Sequence, residues 1–360
     1  MSILVVIVAL TLLIFVHELG HFLTAKWARL RVDEFGFGLP PRLWGKRVGE
    51  TLYSINWLPF GGFVKIFGEG GEGKEEEKSF ASQKPWKRIL ILAAGAIMNF
   101  LFGWLLISLI FAFGSRSAID GENRAYARDV TIAIGDVAPG SPAEQAGIKP
   151  EDVVRRIIAP EPEPEIAVET SDEFIETIKA YRGRQVSIDL ERNGEAVRVS
   201  LTPRENPPPG EGAMGVSIFE SGMVQYPIPQ AFYIGAKVSA DISTQILREF
   251  WNILARLMRS GEVGADIMGP VGIVGVAKGA INSGFAQLVQ LVALISLNLG
   301  TLNLLPIPAL DGGRILFVLI EKIKGSPVPK KAEQIAHGVG FLLLIALLVA
   351  VTIHDIYRLL

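Results

Sequence analysis

Four stretches of this chain are long and apolar enough to cross a bilayer, and everything else must fold around them. A hydrocarbon core about 30 Å thick needs about 20 mostly apolar residues in a helix. The first stretch, Met1–Ala25, carries only His17, Glu18 and His21 as ionisable side chains. The second lies between Arg88 and Arg116 and is free of charges. The third falls within Gly279–Leu310, from about Ala286 onward, and the fourth runs from about Gln334 to Ile353. Backbone groups in lipid must pair within their own segment, so all four are predicted to be helices. The first stretch does not read as a cleaved signal: its apolar core is too long, and neither a basic leader nor an A-x-A pattern flanks it.

Short-loop Lys and Arg set the orientation. The loop of residues 26–88 holds 12 of them, and Arg314, Lys322, Lys324, Lys330 and Lys331 lie between the third and fourth spans. Both loops read as cytoplasmic, which puts residues 116–278 outside. Residues 128–203 read as a compact soluble domain. Strand-like runs are Val130–Val137, Val153–Ile158, Val186–Glu191 and Val197–Thr202. Asn193-Gly194 signals a hairpin, and Thr170-x-x-Glu173 is a capping box opening a helix from Ser171 to Tyr181. Ala159–Glu165 is an acidic loop with alternating prolines, and Asn206–Gly212 is a Pro/Gly linker. In residues 231–259, Ile242, Ile246, Phe250, Leu254 and Leu257 recur at helical spacing among charges. That pattern predicts an amphipathic helix on the outer membrane face.

Net charge is −2, from 35 basic and 37 acidic residues, so no basic footprint supports nucleic-acid binding. The absence of cysteine excludes disulfides, thiolate metal sites and a thiol nucleophile. The chain has only four histidines: His17, His21, His337 and His354. On a helix, His17 and His21 stand on one face about 6 Å apart along the axis. Two imidazoles so placed can bind one zinc, and Glu18 between them can act as general base on water. Ionisable groups inside a span are costly and usually functional. A catalytic zinc site needs a third protein ligand. The candidates are His337, His354 and Asp311. Asp311 is the one charge in residues 279–313, in the segment Asn303-Leu-Leu-Pro-Ile-Pro-Ala-Leu-Asp311-Gly-Gly313. Prolines and glycines interrupt the span there, and broken helices at membrane depth need a protein-lined or wet cavity. His337 and His354 read as interfacial residues at the inner and outer ends of the fourth span.

His17-Glu-Leu-Gly-His21 with Asn303-x-x-Pro306-x-Pro308-x-Leu310-Asp311-Gly312-Gly313 resembles the site-2 protease family of intramembrane zinc metalloproteases, and within it the bacterial branch similar to the regulator of sigma-E protease. Further matching pieces are Gly95-x-x-x-Asn99, Gly36-Phe-Gly-Leu-Pro-Pro41, Gly61-Gly-Phe-Val-Lys65, Gly269-Pro-Val-Gly-Ile273 and, like the family's PDZ domain, Gly140–Pro150. The resemblance covers nearly the whole chain. It implies zinc held by His17, His21 and Asp311, with Glu18 activating the water. It implies that Asn303 positions or stabilises substrate near the metal. Asn99 reads as supporting the packing or the ligands rather than the chemistry. Two histidines and one carboxylate suit zinc. The chain has room for one PDZ domain, where many Gram-negative relatives carry two.

The expected fold is therefore a polytopic α-helical membrane protein with a membrane-associated β-hairpin loop and an inserted α+β PDZ domain. Residues 1–115 hold the first two spans, the zinc motif and the β loop. Residues 128–203 are the PDZ domain outside the cell, 204–278 the linker and amphipathic helix, and 279–360 the last two spans. The hairpin, between Phe35 and Phe67, is expected to dip into the membrane and accept an unwound substrate by strand addition. By family analogy the setting is the bacterial cytoplasmic membrane, and the substrates are single-span proteins such as trimmed anti-sigma factors or remnant signal peptides. The PDZ domain would take a peptide or C-terminus. A non-catalytic PDZ scaffold and a metal transporter are the competing readings; an intact base and ligand set argues against the first, and the His17–His21 motif together with a PDZ-like domain argues against the second.

Overall fold

The computed structural model describes residues 2–159, 165–168, 170–192, 194–260 and 269–359. Residues 160–164 of the acidic loop and Asn193 of the hairpin turn lie outside these. In chain order the main elements are α1 (Ser2–Trp27), β1 (Val32–Val48), β2 (Thr51–Ile66), α2 (Pro85–Phe113), β3 (Ser115–Ala118), β4 (Ala127–Val137), α3 (Pro142–Gln145), β5 (Val153–Ile158), β6 (Glu165–Ala167), α4 (Ser171–Ala180), β7 (Val186–Arg192), β8 (Glu195–Leu201), β9 (Val216–Val224), α5 (Ile228–Ser260), α6 (Pro270–Ser283), α7 (Phe285–Asn303), α8 (Asp311–Lys324) and α9 (Lys330–Leu359). They form two compact units, one of residues 1–109 and 232–360, the other of residues 110–231.

The first unit contains the helices long and apolar enough to span: α1 over Ile3–Trp27, α2, α7, and α9 over Lys330–Tyr357. This is a polytopic membrane architecture, and each helix falls where hydropathy placed it. At 1.5 Å per residue, α1 reaches roughly 39 Å, enough to cross with some tilt. It ends where Arg29 turns left-handed (φ 61°) and the Leu30 N–H reaches back to the Ala25 carbonyl at 2.9 Å. Helices α1 and α2 touch backbone to backbone at Gly20, where an added Cβ would lie 2.3 Å from the Ala94 carbonyl oxygen. Small residues at such crossings are how helices approach closely in lipid. Helix α7 stops at Asn303, a non-helical turn of residues 304–310 carries Pro306 and Pro308, and α8 restarts at Asp311.

β1 and β2 are long and both fold back. Phe35 pairs with Tyr53 on one side and Val64 on the other, and Gly36 pairs with Ser54 and Phe63. Trp44 also pairs with Ile55, and Lys46 with Tyr53. The sheet thus has four antiparallel segments, with residues 42–48 at one edge and 62–66 at the other. Its base joins a core of Ala25, Leu30, Val32, Ile66, Phe80, Ile91, Leu92 and Val318. Its far half exposes Phe37, Leu39, Leu43, Trp44, Trp57, Leu58 and Phe60.

The second unit is an antiparallel sheet in the order β3-β9-β4-β5-β7-β8, with β6 on β5. Ile132, Ile134, Val154, Ile157, Ile188 and Leu190 are buried with Phe174 and Ile178 of α4. The Thr170–Glu173 capping box forms in both directions. The sheet reaches beyond residues 128–203. Val216–Val224, read from sequence as linker, is a strand paired to β4 from Ala127↔Val224 to Val137↔Val216. Ser217, Glu220, Ser221 and Gly222 dilute its apolar alternation, so pairing rather than local pattern makes it a strand. Helix α5, taken in its own unit from Phe232, half-buries Ile242, Ile246, Phe250 and Leu254 and exposes Asp241, Arg248 and Glu249.

Candidate metal centre

His17 and His21 lie one turn apart on α1, and Asp311 is the first residue of α8. The His21 Nε2 stands 3.2 Å from the His17 Nε2. Asp311 Oδ2 is 3.0 Å from the first imidazole's partner nitrogen, His17 Nε2, and 3.5 Å from His21 Nε2. The three donor atoms all fall within 4.8 Å of one another. A tetrahedral ion with ligand bonds of about 2.0–2.1 Å separates its ligand atoms by about 3.3–3.4 Å. The observed triangle matches that edge length. Asp311 Oδ2 is also buried without a hydrogen-bond partner among the described residues, an arrangement that costs free energy unless a cation meets it. The residues therefore fit a divalent ion of zinc's size.

The surroundings aim the ligands. The Ile91 carbonyl of α2 accepts from His21 Nδ1 at 2.8 Å, which fixes the tautomer and leaves the Nε2 lone pair facing Asp311. The Asn99 amide reaches His17 Nδ1 at 3.4 Å through Nδ2, while its Oδ1 is buried without a partner. Exchanging the two ends of the amide gives His17 Nδ1–H its acceptor and uses the orphaned oxygen. Helix α2 passes so close that a Cβ on Gly95 would lie 2.4 Å from His21 Nε2 and 2.7 Å from His17 Nε2. Only glycine leaves room for both imidazoles.

Glu18 turns toward the sheet. Its Oε2 accepts from the Val64 N–H at 3.0 Å. That amide points away from β1, so it belongs to the outer edge of the sheet. Glu18, His17, His21, Phe63, Val64 and Asp311 line one cavity of about 290 Å³. Arg314, ion-paired with Glu69, also lines it.

The sequence expectations meet this geometry unevenly. His17, Glu18, His21 and Asp311 come together, with Asn99 against His17. Asn303 ends α7, half-buried, and does not line the cavity. His354 is exposed near the end of α9. His337, read as merely interfacial, instead packs on the turn that leads into Asp311. Its Nδ1 accepts the Ala309 N–H at 2.8 Å. Val64 and Ile91 carried no sequence signal as site residues, because a backbone amide and a backbone carbonyl acquire their roles only through packing; His337 was a candidate ligand, and its contact with the Ala309 N–H is likewise a tertiary fact.

Comparison with known proteins identifies the family. The model of peptidase family M50 matches residues 5–347. A Clostridium perfringens protein that carries zinc metalloprotease as a provisional name is 34% identical over 99% of this chain and 98% of its own length. A Fusobacterium nucleatum protein with the same provisional name is 31% identical over 100% and 99%. The zinc metalloprotease RasP of Oceanobacillus iheyensis is 27% identical over 96% of each chain. With the family model spanning α1 to α9 and both metal-motif segments inside it, the chain belongs to peptidase family M50, the site-2 proteases.

Proposed function

We propose that this protein is an intramembrane zinc metalloendopeptidase that cuts single-span membrane proteins within or near the bilayer. The observation that carries the reading is the meeting of three donor atoms beside a carboxylate, on a helix apolar enough to span. His17 and His21 would hold zinc through Nε2, and Asp311 through Oδ2. Zinc bound there supplies a Lewis acid and brings the pKa of water toward neutrality. Glu18 takes the proton of the attacking water and gives it to the leaving amine as the C–N bond breaks. The Val64 N–H holds one Glu18 oxygen and leaves the other for that proton. Asn99 orients His17, and Asn303 steadies substrate entering past the end of α7.

A helical substrate hides its peptide bonds, so it must unwind before cleavage. Residues 62–66 form a sheet edge beside Glu18, and an extended segment can add to it by main-chain hydrogen bonds. The exposed Trp44, Trp57, Leu58 and Phe60 favour a sheet whose far half sits in the lipid interface. Crosslinking from Ile55 or Val64 to a trapped substrate checks the placement, and silence from both positions would contradict it.

Residues 128–203 act as a single PDZ domain outside the cell that receives the trimmed end of a substrate. The Lys/Arg-rich loops then lie in the cytoplasm, with the metal toward that side of a bacterial cytoplasmic membrane. Anti-sigma factors already trimmed outside, and remnant signal peptides, are the substrate class. The test is to incubate purified protein with a single-span substrate and map the cut by mass spectrometry. A chelator-sensitive cut within the apolar span is the expected result. A cut confined to the soluble flanks, or one indifferent to chelation, would contradict the reading.

A further inference from the structure

Asp311 reaches the two imidazoles from the end of a non-helical turn of residues 304–310. Within it Ala309 adopts φ 81°, a left-handed conformation unfavourable for a residue with a Cβ. The turn has its own backbone hydrogen bonds, from Ile307 to Leu305 and from Leu310 to Ile307, and contacts from outside add to them. Helix α9 contacts the turn at two positions on one helical face. At Gly340 the helix comes so near that a Cβ would stand 2.4 Å from the Pro308 carbonyl oxygen. At His337 the Nδ1 lone pair accepts the Ala309 N–H at 2.8 Å. The ring packs against Phe317 of α8, with centroids 5.5 Å apart. His337 thus touches both the turn before Asp311 and the helix after it.

The acceptor role dictates the chemistry. Nδ1 must be unprotonated to take the Ala309 N–H, and the ring is then neutral with its proton on Nε2. The Ala309 amide has no other hydrogen-bond acceptor described. Without His337 that N–H would be left to find water at the base of a metal-ligand turn already in a strained conformation.

We propose that His337 is a positioning residue for the metal centre: it holds the 304–310 turn in the conformation that delivers Asp311 to His17 and His21. The proposal rests on the reading of Asp311 as a metal ligand. His337 itself touches neither metal nor substrate.

The test measures zinc affinity by competition with a chromophoric chelator on the purified full-length protein in detergent, with the melting temperature of the metal-free protein alongside. His337→Phe keeps a ring against Phe317 but has no acceptor. His337→Asn places an amide oxygen near the position of Nδ1. Loss of a group that orients a ligand typically costs 10–100-fold in metal affinity. His337→Phe should weaken zinc binding by about 10-fold or more, and His337→Asn should recover most of that loss. Wild-type affinity in His337→Phe would overturn the proposal. So would an Asn variant as weak as the Phe variant with both melting early, which would assign His337 to packing alone. Asp311→Asn in parallel separates the two readings. If it leaves zinc affinity unchanged, Asp311 is not a ligand and the underlying assignment fails; if it weakens zinc while His337→Phe does not, only the positioning role fails.

Discussion

At the scale of single residues, the metal site is decided by what is small as much as by what is charged. Gly95 is the clearest case. The backbone of α2 forms a wall of the site, and any side chain there would enter the space of both imidazoles. Gly95→Ala should therefore lower zinc occupancy about 10-fold or more at limiting zinc, comparable to loss of a group that orients a ligand, although alanine favours helix more than glycine does. Metal quantified against protein after dialysis checks this, and an alanine variant with full zinc would mean the site relaxes around the methyl. The pentapeptide from His17 to His21 was legible in the sequence because helical spacing alone puts its histidines on one face. Asp311 was legible only as one of three candidates, since proximity across the chain is a tertiary fact. His337 was read as an interfacial residue, and its hydrogen bond from the Ala309 N–H could not be foreseen, because nothing in a 3.6-residue period says which backbone amide an imidazole will meet. Gly95 stood in the sequence as part of a matching motif, and the structure shows that its close neighbours are the two histidine rings.

At the scale of elements, the two units follow different rules. Helices in lipid are set by length and hydropathy, so their positions could be read directly. The sheet of the second unit is set by pairing, which is why β9 escaped notice while β5, with its Val153-Val154 and Ile157-Ile158 pairs, did not. That sheet also pairs some of its charges across strands. Asp189 on β7 accepts from Arg198 Nε at 2.6 Å and from Arg156 Nε at 2.6 Å. The Arg198 hydrogen bond, aided by Arg156, draws its carboxyl down to about 2 against the opposing effect of burial. A carboxyl depressed by folding stabilises the fold above its unfolded value of about 3.9, and that contribution disappears as pH falls toward 2. The second unit should lose stability over that window, and Asp189→Asn should flatten the slope. Thermal melts of the full chain followed from pH 5 to pH 2 check it; an unchanged slope in the Asn variant would show that other carboxylates govern the acid limit. The Thr170 cap is a separate device: Thr170→Ala removes one side of the box and should cost about 1 kcal/mol.

At the scale of the whole molecule, the account joins a water-requiring reaction to a membrane setting. Helices α1 and α2 line the cavity, the segment between α7 and α8 brings Asp311 to His17 and His21, and the folded-over sheet places an edge beside Glu18. The orientation drawn from Lys and Arg has a direct check because the chain has no cysteine. Single cysteines at Glu50 and Ser326 should react with an impermeant maleimide only after the cell is opened. Labelling of either in intact cells would reverse the topology. The central claim, that the protein is a metalloprotease with Glu18 as its base, is tested most directly by one variant measured two ways. Purified Glu18→Gln should retain about one zinc per chain, as three of its first neighbours at the metal are untouched, and should cleave a tagged single-span substrate at less than a few per cent of the wild-type rate, the order expected when a general base is lost. Cleavage near the wild-type rate by the zinc-loaded Gln variant would contradict the account.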